Sequence, residues 1–237
     1  ASGKYNTTTG LATFSGVISS YSNATTAGTS LEKIGSGTQI LTGANTYRGI
    51  TKVTKGILQI GDGGSTGTLG TGAVIDNASL VFNRSNSLTV ANTISGTGTL
   101  TQAGSATTIL TANNNYAGTT TISAGVLQVG DGGTTGNLGT GAVIDNASLV
   151  FNRSNSLTVA NVISGTGTLT QEGSGTTILT ANNSYAGTTT ISNGTLQVGS
   201  GGTTGTLGAG DVTLSNNANL NYVLSATTSI ANNITGF

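Results

Sequence analysis

The feature that most constrains this chain is that it repeats itself, with a period of 69. The stretch "GAVIDNASLVFNRSNSLTVAN" begins at Gly72 and returns at Gly141, and 73–141 agrees with 142–210 at 60 of 69 positions. The same offset carries Tyr47 to Tyr116 and Tyr185, and Leu58 to Leu127 and Leu196. A diverged copy occupies 211–237, and 1–72 is an incomplete first copy with an insertion near Tyr21 to Ala27. A unit that recurs this faithfully buries its apolar surface against its neighbours, so 1–237 reads as one solenoid or array.

Within a unit the apolar residues alternate with period two. Ala78, Leu80 and Phe82 share one face of a strand, followed by Leu88 with Val90, then Leu100, Leu110, Ile122, and Leu127 with Val129. Gly, Asn, Asp and Ser separate them, which predicts eight or nine short strands per unit. No segment has helical spacing. Propeller blades take about 40 to 50 residues, which the period does not match. A parallel β-helix fits, with about three coils of roughly 23 residues per repeat and roughly ten coils in all. At about 4.8 Å per coil the rod would be about 50 Å long.

Such a coil needs corners, and the 39 glycines supply them. The stretch "IGDGGSTGTLG" at 60–70 has the density of a phosphate loop or a calcium turn. Its copies decide the matter: Asp62 and Asp131 give way to Ser200. A calcium site does not survive loss of its one carboxylate. A phosphate loop needs Gly-Lys-Ser/Thr, and the one Gly-Lys, Gly3-Lys4, is followed by Tyr5. The stretch is a turn.

Chemistry is thinly represented. There is no His, Cys, Met, Trp or Pro, and 6% of residues are charged. No imidazole base, thiol nucleophile or soft metal ligand exists. A net charge of zero gives no reason to expect nucleic acid as a partner. No apolar run has the length of a membrane span. No catalytic residue, cofactor or metal site is expected.

Three stretches resemble the passenger-associated transport repeat, also called the autotransporter-associated β-strand repeat. They are "GSGTQILTGANTYRGITKVTKGILQIG" (35–61), "GSATTILTANNNYAGTTTISAGVLQVG" (104–130) and "GSGTTILTANNSYAGTTTISNGTLQVG" (173–199). They share a strand ending Ile-Leu-Thr, an Asn-x-Tyr-x-Gly corner and a Gly-x-Leu-Gln-Ile/Val-Gly close. The resemblance implies a right-handed β-helix secreted by the type V route to the bacterial surface, with adhesive or matrix roles. Such proteins carry a C-terminal membrane barrel, and the stretch 1–237 is expected to be passenger alone.

Some β-helices cleave polysaccharides, and Asp76 with Arg84 and Asp145 with Arg153 are the pairs that suggest it. One Asp is too few to hold calcium, and surface charge pairing is the simpler expectation. Thr119 and Thr121 point outward if Ile122 points inward, but "GTTTIS" returns once per three coils, too sparsely for a continuous ice-ordering face. Tyr47, Tyr116 and Tyr185 are candidates for weak sugar or ligand contacts, about 14 Å apart and in register, against the plainer reading as corner residues. Arg48, Lys52 and Lys55 read as solvated charges that discourage edge pairing.

Near-identical copying lengthens a scaffold or multiplies a weak contact. The expectation is therefore an extracellular adhesive rod, with a β-helix lyase or hydrolase as the competing class. Its expected partners are other copies of itself, end to end or side by side, or a cell-surface glycan or protein. Strand character up to Phe237, without a cap, adds the expectation of end-to-end stacking.

Overall fold

In the computed structural model, which describes residues 3–5, 10–20, 28–227 and 229–236, strands of two to four residues are joined by glycine- and asparagine-rich corners. Strands inside a sheet pair in parallel with the turn before and the turn after, and those at a sheet's end pair with one of the two. Leu80 lies between Leu58 and Leu100, and Leu149 between Leu127 and Leu169. No helix occurs among the described residues, and the chain is a β-solenoid of about ten turns.

Alternation decides what is inside. Leu58, Leu80 and Leu100 form one buried ladder and Ile60 with Phe82 another, while Gln59, Val81 and Thr101 alternate with them on the outer surface. Each fully buried Leu or Phe contributes about 1.5–3 kcal/mol, but only when the turns above and below are present.

The solenoid has three sides. One runs from Leu11–Phe14 to Ile163–Ser164 and a second from Leu88–Val90 to Ile234–Gly236, each eight strands deep. The third runs from Gly3–Tyr5 to Ile94–Ser95 and resumes with Leu157–Val159 to Asn219–Tyr222. Between those two sheets it is built of residues 111–118 and 131–141. These bond from turn to turn without strand geometry, as Ala117 N does to Gly96 O and Thr140 N to Tyr116 O.

The turns are not uniform coils, three to a repeat, as the period suggests. Leu80 to Leu100 and Leu100 to Thr120 are steps of 20, and Thr120 to Val143 is a step of 23. Beyond the first turn, steps elsewhere fall to 19, from Thr107 to Val126, and rise to 24, from Thr195 to Asn219. Three turns from Leu80 thus end at Val143, short of the full period, and the remainder carries the chain on to Leu149. Leu149, the copy of Leu80, lies in the other eight-stranded sheet. One repeat therefore makes three and one third turns and places its copy one side further round. Three repeats complete ten turns.

Corners absorb the variation. Gly56, Gly125 and Gly194, at one repeat position, have φ of +74°, +61° and +64°, which glycine adopts without steric cost. Each also lies against carbonyls of the preceding turn, where a Cβ would collide. In the first turn, Gly3 pairs with Leu31 and Leu11 with Thr38, steps of 28 and 27. The expected insertion near Tyr21 to Ala27 falls inside those long steps and outside the described residues, as does Phe237.

Candidate functional site

Tyr47, Tyr116 and Tyr185 are wholly buried, each at 0% exposure. Each hydroxyl pairs with a buried threonine four residues on: Thr51, Thr120 and Thr189, at 2.6 to 2.7 Å. Gly70, Gly139 and Gly208 of the following turn lie against the ring edges, leaving no room for a side chain. Burial pushes all three phenol pKa values up. A ring without an exposed face cannot stack on a sugar, so the candidate ligand contacts give way to the plainer reading: the three are corner residues, enclosed as core pins. Nor are they in register, since each successive tyrosine lies one side further round and about 16 Å along the axis.

Asp76 and Asp145 also sit inside, at 0% exposure, next to Gly98 and Gly167, whose missing side chains make the space. One oxygen of each accepts from a main-chain amide, Ala78 N or Ala147 N, at 3.1 Å. The other oxygen of each has no partner. Burial pushes both carboxyls up to about 6. The expected pairing with Arg84 and Arg153 does not occur. Arg84 donates to Gly67 O and Ser65 O at 2.6 Å and to Asn86 Oδ1, and Arg153 donates to the equivalent Gly136 O, Thr134 O and Asn155 Oδ1. The arginines thus clamp the glycine-rich corner of the preceding turn, "GDGGSTG" or "GDGGTTG". The corner is a turn, as its sequence indicates. Asp62 and Asp131 do no more there than accept from Gly64 N and Gly133 N.

Three further polar positions, two buried and the one at Asn92 half-buried, give no signal beyond their recurrence. Asn45, Asn114 and Asn183 bridge turns in both directions, accepting from Ile18 N, Ile94 N and Ile163 N and donating to Thr68 O, Asn137 O and Thr206 O. Asn92, Asn161 and Asn232 each donate twice to glycine carbonyls of the preceding turn. Gln102 and Gln171 cap their own corners through Gly104 O and Gly173 O, and at the same position Lys33 donates to Gly35 O and Lys55 O. Of the basic cluster, Lys52 reaches Glu32 at 3.5 Å on the surface.

One surface feature recurs with the repeat. Where a segment stacks on the irregular stretch below it, a shallow cleft opens. The first, about 290 Å³, lies between Thr68–Thr71 and 88–92; the second, about 190 Å³, lies between 137–140 and 157–161. The third, about 420 Å³, lies between 205–209 and 229–232. No charged residue lines any of them. Because the repeat rotates by one side, the three clefts face three directions. Among the described residues no three acidic, His or Cys side chains gather to hold a metal. No helix among them is long and apolar enough to cross a membrane.

The passenger-associated-transport-repeat family matches residues 31–60, 100–129 and 169–198. The adhesin BmaC autotransporter of Brucella suis biovar 1 (strain 1330) is 35% identical over 205 residues, 78% of this chain. The chain spans 6% of that protein's length. No solved structure matches.

Proposed function

With passenger-associated-transport repeats as its building units the chain is a segment of an autotransporter passenger, and from that premise we propose that it is a non-catalytic adhesive rod displayed on, or released from, the bacterial surface. The observation that carries this reading is the copying of a whole unit at 60 of 69 positions, outward residues included. A catalytic site needs one location, whereas duplication multiplies a surface. Rotation by one side distributes that surface around the rod, so partners are met from three directions. Those partners are other copies of the chain, building fibres or matrix, or an uncharged cell-surface glycan or protein. Polysaccharide cleavage through Asp76 and Asp145 finds no support, since both carboxyls are closed off from any substrate.

Deleting 142–210 from the full chain tests the proposal. It should shorten the rod by about 16 Å, three and one third turns, and reduce cell–surface attachment by degrees. Complete loss of attachment by a folded, shortened rod would instead place function in one unique site.

A further inference from the structure

The corner between Thr189–Ile191 and Thr195–Val198 reads Ser192-Asn193-Gly194, where the equivalent corners read Thr54-Lys55-Gly56 and Ser123-Ala124-Gly125. Asn193 is exposed, and its side chain folds back over its own main chain so that Oδ1 accepts from Gly194 N at 2.8 Å. That contact brings the carboxamide carbon beside the nitrogen of the following residue, which, being glycine, has no side chain to obstruct approach. From this geometry we propose that Asn193 is a site of spontaneous deamidation, with water as the co-reactant.

The Gly194 nitrogen gives its proton to water or hydroxide and attacks Cγ of Asn193. An N–Cγ bond forms, the Cγ–Nδ2 bond breaks, and ammonia leaves with a proton from solvent. Water then opens the resulting succinimide at either carbonyl, yielding aspartate or isoaspartate. Either product adds a negative charge to a chain whose seven basic and seven acidic residues balance. Isoaspartate also lengthens the main chain by one carbon at a place with no slack. Gly194 is pressed against Gly173 O and Gly175 O, and Gly194 O accepts from Asn219 N of the next turn. Conversion therefore loosens the join between two turns and marks the age of the rod.

The full folded chain, held at mildly alkaline pH, is sampled over time by peptide mass mapping after glutamate-specific cleavage at Glu172, and by enzymatic methylation of isoaspartate. The expected result is a growing fraction of the 173–237 peptide with amide exchanged for acid at Asn193, faster as pH rises and absent in Asn193→Ala. That variant keeps the fold, because Ala124 stands at the same corner one repeat earlier. Persistence of the amide in the folded chain while the denatured chain converts would overturn the proposal. So would equal conversion at the buried Asn45 and Asn114.

Discussion

Asp145 and Leu214 occupy the same place in successive repeats, each beneath a glycine of the following turn, Gly165 and Gly236. One is an enclosed carboxyl with an oxygen unpartnered; the other is a half-buried leucine. Ala147 N donates to the Asp145 carboxyl, whereas Ala218 N in the later copy donates to Ser215 O. Two inserted residues make that substitute turn, with Asn217 at φ 69°, a left-handed angle that asparagine tolerates. Arg153 and Leu224 differ in the same way: both pack on a corner glycine, Gly130 or Gly199, but the arginine alone also clamps carbonyls. The backbone ladder thus accepts either chemistry. What differs is how stability responds to pH and to the loss of a side chain.

The largest expected effect comes from the two buried carboxyls together. Their pKa is about 6 against an ordinary 3.8. A carboxyl raised by folding stabilises the fold most when protonated, so stability is greatest below about pH 4 and is lost as pH rises through 6. Each carboxyl should remove about 3 kcal/mol by neutral pH. Denaturant midpoints across this range should fall for the native chain and stay level for Asp76→Asn with Asp145→Asn. A level native profile would mean that the two copies do not differ from the third in this respect.

Tyr116→Ala comes next. Removing a fully enclosed ring should cost about 3–5 kcal/mol, and Tyr47→Ala and Tyr185→Ala should cost similar amounts, because all three pins have the same surroundings. Calorimetry of the three variants would show the repeats to be unequal if one were silent. Arg153→Leu, which gives the middle copy the residue of the last, should cost about 2 kcal/mol through lost charged hydrogen bonds. It should also raise the rate of protease nicking within 130–136. The smallest effect is expected of Leu214→Asp. Water reaches that site, so stability should change by less than about 1 kcal/mol, with a far shallower pH slope than Asp145 produces. A slope equal to that of Asp145 would show that solvent access does not separate the copies.

Much of this is legible in the sequence. The strand Ser79–Phe82 follows from alternation alone, and the glycine-rich corner at 60–70 from the replacement of Asp131 by Ser200 one copy on. Asp76 and Tyr116 were not legible as interior residues. Asp76 is the last residue of a three-residue strand, too short for its phase to stand out, and charge argued for the surface. Tyr116 lies on a stretch without strand geometry, where period two assigns no side. Thr170, Thr190, Thr213 and Thr235, in contrast, stack on four consecutive turns, although the sparse "GTTTIS" motif predicted no continuous threonine row.

By itself the sequence determined that the chain is a repetitive β-solenoid, where its strands lie, and which residues turn its corners, because these depend on near neighbours and on exact recurrence. Only the tertiary structure decided how long each turn is and therefore which copies face the same way. Turn length is the sum of strand and corner lengths, and corners of glycine, asparagine and serine close the short step from Thr107 to Val126 and the long one from Thr195 to Asn219 alike. The solenoid settles that length by matching ladders between turns, which sequence spacing does not contain. The stretch from Val143 to Leu149, left over once three turns are complete, is enough to send identical units to three different sides.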